Sequence, residues 1–505
     1  MVNKHIGWMF LLSAAIALIQ CRKKTDSVES VLAQKEEARI ATAVPGVDWM
    51  KTIAIQPFKK PPRVQATQSI VFTELTDGVA ARLSRAKELK VVMAAPNRVA
   101  QTVRQKADYI LTGESEAADP LPRLAIQLVD VRKNTRLWEI RLDVDSRRLF
   151  TLIYGIADSV LARLHIGMSG RTGIKISDPP GDVMEAYIEG KRYMNKNNHI
   201  ASDLAVQNFK VVLRTDSTFT PAWLALGETY LGIHQNGWDR NMVWFHLAQQ
   251  TAFKVLQLDS TSAEAMLILG RVYQGLGDLK KAEEQYRKAL GLNPSLKDAW
   301  FGLGSLMTEY GLYLPALDVF NRSLELDPVL SPASLGKALV LIGLRHYADA
   351  ETTLRQALSN NPDAPELRAT LALARLYQND SAGAEAELKR DAVDGETSVF
   401  HHAVRAMVWA KQERFDQAIG ELELNVIPSL HDDASLFVAV SAVYALLNRP
   451  GLCVQWLQKA CDYGYKQYLW IQNDPHFKDM QGDARFNKVV RCIRREWEKR
   501  ALGSS

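Results

Sequence analysis

The sequence predicts an α-solenoid of helical hairpins, an α/α superhelix, preceded by a small α/β domain. Three observations carry that expectation. Small residues recur every 34 positions, at Gly270, Gly304, Ala338, Ala372 and Ala406. A second set follows twelve positions after each, at Ala282, Ala316, Ala350, Ala384 and Ala418. Ahead of this array, from Trp49 to His165, the apolar pattern changes to short runs of alternating residues interleaved with helical ones.

The repeat has a direct physical meaning. Helix axes approach to about 8–10 Å only where small side chains face each other, so each unit needs Gly or Ala on both arms, and these ten positions are assigned to repeat packing. A bulky residue follows four positions after each of the second set, at Tyr286, Phe320, Leu354, Leu388 and Leu422, and fills the space beside them. Gly275, Gly277 and Gly311 mark turns, and three units close on Asn293-Pro294, Asp327-Pro328 and Asn361-Pro362. A single hairpin cannot bury its face alone, so the units stack. Together with Trp223, Leu226, Gly227 and Tyr230, the pattern resembles the tetratricopeptide repeat family. The resemblance implies about eight repeats over residues 182–470 and capping helices over 471–500.

The outer repeats are less regular. Gly190, Tyr193, Ala205 and Phe209 make the first hairpin, and Trp223 to Leu258 the second, with an insertion around His234 to Trp244. Trp238, Trp244 and Phe245 there serve either local packing or a partner contact. The eighth repeat is offset by one residue, with Ser441, Tyr444 and Cys453 in its slots. Asp474-Pro475-His476-Phe477 and Asp483-Ala484-Arg485-Phe486 open the cap.

Residues 1–24 read as a signal peptide or membrane anchor. Lys4 precedes the apolar run Ile6 to Ile19, which ends at Gln20-Cys21 and is followed by Arg22-Lys23-Lys24. Such a run is short for a membrane span and suits a secretory leader. Cys21 resembles a bacterial lipoprotein processing site and is the lipidation candidate, although Gln20 stands where that family has a small residue. Acylation, an uncleaved anchor and simple secretion all remain open. Residues 25–47 read as a polar tether, which places the rest in a periplasmic or extracytoplasmic setting.

Residues 48–166 read as β-α-β-α-β-β-β-α. Strands are expected at Thr52 to Ile55, Lys90 to Met93, Tyr109 to Glu114, Leu124 to Val129 and Leu137 to Asp143. Helices are expected at Ile70 to Ala86, Arg98 to Lys106 and Leu149 to Leu164. That order, with Ile-Leu-Thr-Gly-Glu at 110–114, Gln-Leu-Val-Asp at 127–130 and Arg-Leu-Trp-Glu at 136–139, resembles the TolB-like N-terminal domain. The resemblance implies a sensory or regulatory setting in bacteria. Lys59-Lys60-Pro61-Pro62-Arg63 departs from the family's acidic Gly-Asp-Pro entry to the first helix. Residues 167–181, rich in Gly, Ser and Pro, read as a linker.

Composition and motifs narrow the function. A net charge of +5 over 505 residues, with no basic stripe, argues against a nucleic-acid partner. No phosphate loop, nucleophile elbow or HExxH helix occurs, so the expectation is no enzyme, no catalytic residue, no cofactor and no metal. His401 and His402 are adjacent on a helix, about 100° apart around its axis. Asp474, His476, Asp479 and Asp483 suit a cap better than a metal. Cys453 belongs to the core, and a bond between Cys461 and Cys492 stays open.

The first helix of each hairpin lines a groove. The positions that carry Lys, Arg and Asn in repeats that bind acidic chain ends are here Leu267, Arg271, Phe301, Ser305, Leu335, Leu339, Ile342, Ala369, Leu373, Leu376, Ala403 and Met407. An apolar groove of this kind suits an amphipathic helix or apolar segment of a protein partner, or else is covered by the chain's own tether, α/β domain or neighbouring hairpins. Three function classes follow: a membrane-tethered interaction scaffold, a sensory module whose α/β domain binds a small ligand or envelope component, and an enzyme with an unrecognised site.

Overall fold

The computed structural model describes residues 51–62, 66–86, 88–94, 107–116, 121–167, 177–196, 198–391, 398–431 and 433–501. The expected leader, tether and Cys21 lie outside these residues, as does the helix expected at Arg98 to Lys106. The described chain is mostly helical and carries a five-stranded sheet. It forms two compact units. One holds the described residues up to Leu303 together with Arg322–Pro328; the other holds Gly304–Asn321 and the chain from Val329 onward.

The sheet comprises β1 (Lys51–Ile55), β2 (Leu89–Met93), β3 (Tyr109–Glu116), β4 (Arg123–Asp130) and β5 (Thr135–Asp143), in the order β2-β1-β3-β4-β5. Helix α1 (Ala66–Ser84) joins β1 to β2 and lets them pair in parallel, whereas β3, β4 and β5 form an antiparallel meander. Period-two alternation decides which face is covered. On β4, Leu124, Ile126 and Leu128 are fully buried, while Ala125, Gln127 and Val129 are only partly so. Charged Arg136, Glu139 and Arg141 occupy β5, the outermost strand of the order, and discourage further pairing there. Helix α2 (Leu149–Leu164) packs beside α1. Asp178 accepts the amides of Phe150 and Thr151 at 2.7 and 3.1 Å, filling two of the open donors at the start of α2.

The α/β layer and the first hairpins share one core. Phe150 on α2 meets Phe219 at 5.2 Å and Tyr187 at 5.9 Å between ring centroids, and Tyr187 meets Phe219 at 5.4 Å. Tyr187 lies on α3 (Gly181–Met194), which pairs with α4 (His199–Thr215). A contiguous set of buried apolar residues runs from Ile53 in β1 to Val272.

Hairpins continue in this unit with α5 (Thr220–Gln235), α6 (Val243–Leu258), α7 (Ala263–Gly275) and α8 (Leu279–Leu292). Helices α9 (Lys297–Glu309) and α10 (Tyr313–Leu326) follow in the chain. The second unit adds α11 (Ser331–Gly343), α12 (Tyr347–Asn360), α13 (Pro365–Tyr377), α14 (Ser381–Asp391), α15 (Val399–Lys411), α16 (Phe415–Glu421), α17 (Ala434–Leu446) and α18 (Pro450–Asp462). A short α19 (Tyr468–Asn473), a 3-10 turn (Pro475–Gly482) and α20 (Ala484–Ala501) follow.

Packing between arms follows small against large. A Cβ placed on Gly270 would sit 2.5 Å from the Tyr286 ring, and one on Gly304 would sit 2.8 Å from the Phe320 ring. Ala282, Ala316, Ala338, Ala350, Ala372, Ala384, Ala406 and Ala418 are fully buried. The turn between arms uses a left-handed residue at the same 34-residue spacing: Gly277, Gly311, Arg345, Asn379 and Glu413, with Asn448 one position late. Among the described residues, no helix is long and apolar enough to cross a membrane.

Candidate functional site

In the first unit, the α/β layer packs on the first arm of the first hairpin and on the connections between later hairpins. Glu74 on α1 pairs with Lys191 on α3 at 3.1 Å and accepts the Tyr187 hydroxyl at 3.3 Å. Arg85 reaches Asp259 at 3.6 Å and Glu264 at 3.3 Å. Asn293 donates to the Ser84 hydroxyl at 2.9 Å, and the Val91 amide donates to Ser295 at 3.2 Å. The start of the sequence-predicted groove lies in the same unit. Leu267 is buried, and Arg271 donates to Gln235 at 2.5 Å with the Glu228 and Asp298 carboxylates nearby.

A cavity of about 260 Å³ remains at this junction, lined among others by Glu74, Asp77, Arg82, Tyr187, Lys191 and Glu228. Burial pushes the Glu228 and Asp77 carboxyls above the usual carboxylate range, against the pull of Lys191 on both and of Arg271 on Glu228. Burial also raises Asp298, opposed by Lys297 and Arg271. Low dielectric penalises the charged form, and the cations offset only part of that penalty.

In the second unit, Leu335, Leu339, Leu373 and Met407 line one cavity of about 390 Å³. It falls within the range of ligand-sized sites. The four come from the first arms α11, α13 and α15, and Leu436, Val438, Ala439 and Ala442 of α17 continue the wall. A chain segment after α18 closes one side through Tyr465, Gln467, Trp470 and Asp474. Polar anchors fix that segment. Tyr313 donates to Gln467 at 3.0 Å, Asn473 donates to the Gly343 carbonyl at 2.8 Å, and Tyr377 donates to Asp474 at 2.9 Å. The other Asp474 oxygen accepts the His476 amide at 2.9 Å. Burial first, and then the Asp474 carboxylate, pushes the Tyr377 hydroxyl well above its usual range, so it stays a donor. Glu366, Asp433 and Asp474 line the cavity, and among the described residues no Lys or Arg does.

The other predicted groove positions do not join this cavity. Ile342, Ala369, Leu376 and Ala403 are buried in packing, and Phe301 and Ser305 are half-buried without lining it. Phe245 in the insertion packs under Gly275, and Trp244 meets Tyr230 at 5.6 Å, so this pair serves local packing. Cys453 is fully buried, and Ser441 donates to its carbonyl at 2.8 Å. Among the described residues, no group of three or more His, Cys, Asp or Glu is arranged to hold a metal. Tyr377, Gln467 and Trp470 were not singled out from the sequence. The Asp-Pro-His-Phe cap motif signalled a terminus but not where it lands.

None of the curated proteins compared matches the chain. Among solved structures, a PilF protein of Pseudomonas aeruginosa is 23% identical with a TM-score of 0.34, covering 41% of this chain and 91% of its own. A tetratricopeptide repeat protein of Parabacteroides merdae is 15% identical with a TM-score of 0.34, covering 62% and 98%. A Cut9–Hcn1 structure is 14% identical with a TM-score of 0.36, covering 68% and 84%. Two tetratricopeptide repeat families match the sequence itself, one over residues 263–296 and one over residues 335–397. These matches fall on the hairpins whose small residues recur at 34 positions, and this chain carries tetratricopeptide repeats.

Proposed function

We propose that the chain is a non-enzymatic scaffold, tethered to a membrane outside the bacterial cytoplasm, that holds a protein partner on the first arms of its repeats. Tetratricopeptide repeat proteins generally mediate protein–protein contact. The observation that carries the proposal is the cavity at Leu335, Leu339, Leu373 and Met407, apolar in its body and acidic at Glu366 and Asp433. Its chemistry suits an apolar or amphipathic segment of the partner with flanking Lys or Arg. Crosslinking in cells, with the full chain and with Leu339→Glu, tests this. The partner recovered with the parent chain should be lost with the variant, whose helicity stays unchanged. An identical set of crosslinked proteins overturns the proposal. Tethering is tested by membrane fractionation and by globomycin sensitivity of the parent chain against Cys21→Ala.

A second reading makes the TolB-like portion a sensor of a small ligand or envelope component. The cavity of about 260 Å³ between α1, α2 and the first hairpins favours it. Saturable small-ligand binding by the full chain that is weakened by Glu228→Gln but retained in Leu339→Glu distinguishes this reading from the scaffold.

A further inference from the structure

Two thiols face each other at the closing end of the second unit. Cys461 lies near the end of α18 and Cys492 midway along α20, and their Sγ atoms are 2.8 Å apart. Cys492 is exposed and Cys461 half-buried, whereas Cys453 is buried in the core. A disulfide holds its sulfurs at about 2.05 Å, so bond closure needs only a small inward movement of two helices already in contact. The helix that would be tied is also the one that holds the side of the cavity. Trp497 on α20 donates from its indole nitrogen to the Gly311 carbonyl at 3.1 Å and meets the Tyr468 ring at 5.6 Å. Arg494 lies over the same Tyr468 ring at 5.6 Å. Tyr468 begins α19, which carries the cavity residue Trp470.

We propose that Cys461 and Cys492 are an oxidisable pair whose disulfide locks α20 onto the last hairpin and thereby fixes the Tyr465–Asp474 side of the cavity. The oxidant is a disulfide-bearing molecule, such as glutathione disulfide or an oxidising dithiol protein. The exposed Cys492 reacts first: its thiolate attacks one sulfur of the oxidant, forms a mixed disulfide and releases a thiolate that takes up a proton. Cys461 then loses its proton and attacks Cys492 Sγ, and the second half of the oxidant leaves as a thiol. Two protein thiols and one oxidant disulfide become one protein disulfide and two small thiols, a two-electron exchange. Burial, then the adjacent Cys492, pushes the Cys461 thiol up to about 12. That suits it to the second, intramolecular step, where the high local concentration compensates for a small thiolate fraction.

The test titrates the full chain with glutathione disulfide and reads alkylatable thiols, intact mass and amide exchange. The proposal expects the loss of two alkylatable thiols and of two hydrogens in mass. It also expects exchange across residues 466–501 to slow by at least about tenfold. Cys492→Ser should show neither effect, and Cys453→Ser should show both. Retention of both thiols, or a reaction that stops at a mixed disulfide on Cys492, overturns the pair. A disulfide that leaves exchange across 466–501 unchanged overturns the lock.

Discussion

Glu74 on α1 and Lys191 on α3 form an ion pair of 3.1 Å, largely shielded from water, and the Tyr187 hydroxyl donates to the same carboxylate. Burial alone would lower the Lys191 amine, yet the Glu74 charge carries it above its usual range. The pair ties the α/β layer to the first hairpin. Glu74→Ala should destabilise the chain by about 3 kcal/mol, because the ammonium is left buried without its partner. Adding Lys191→Met should recover most of that loss. Urea unfolding of the two single variants and the double variant measures both effects.

Glycine position should decide the sign of a Gly→Ala change. A methyl on Gly270 would meet the Tyr286 ring at 2.5 Å, so Gly270→Ala should cost about 1–3 kcal/mol. On Gly155, midway along α2, a methyl meets nothing within 4 Å. Gly155→Ala should therefore stabilise by about 0.5–1 kcal/mol. Thermal melts of the two variants should move in opposite directions.

Glu413 occupies the left-handed turn position at φ 61°, where Gly277 and Gly311 serve in earlier repeats. A side chain there costs about 1–2 kcal/mol, partly offset by the added freedom of glycine in the unfolded chain. Glu413→Gly should raise stability by about 0.5–1 kcal/mol, whereas Gly311→Val should lower it. Chemical denaturation checks both.

His401 is fully buried, and burial, then the charge of Arg405 and His402, lowers it to about 4, against the opposite pull of Glu421. An unfolded histidine titrates near 6.5. Between those values the unfolded chain binds the extra proton. The stability linked to this group is therefore whole above about pH 6.5 and is lost as the pH falls toward 4. Relative to His401→Gln, the parent chain should lose on the order of 2 kcal/mol between pH 7 and pH 4.5. A pH series of urea unfolding curves reads that difference.

Much of the architecture was legible because it repeats. Five strands follow one another along the chain as expected, and the small–large pairs at Gly270 and Tyr286 and at Gly304 and Phe320 are in contact. Leu335, Leu339, Leu373 and Met407 meet at one cavity because equivalent positions on successive first arms share a face. Ile342, three positions past Leu339, turns about 60° off that face and enters the packing. What could not be read depends on long-range contact. Tyr377 and Asp474 are 97 residues apart, and no local pattern encodes their meeting. The shared core from Ile53 to Val272 was hidden in the same way, because composition and periodicity do not encode contacts between distant helices and strands. Arg345, Asn379 and Glu413 sit at the expected spacing, but Arg and Glu give no turn signal of their own.

The continuous apolar core has a consequence for biogenesis. A nascent chain completes its last strand at Asp143, but the flank of α2 that holds Phe150 is covered only once Tyr187 and Phe219 have been synthesised. Until then, that flank stays wet and open to aggregation or chaperone capture. A premature stop shortly after Ile166 would release a sheet that lacks part of its interior, and a cell would degrade such a fragment rather than accumulate it.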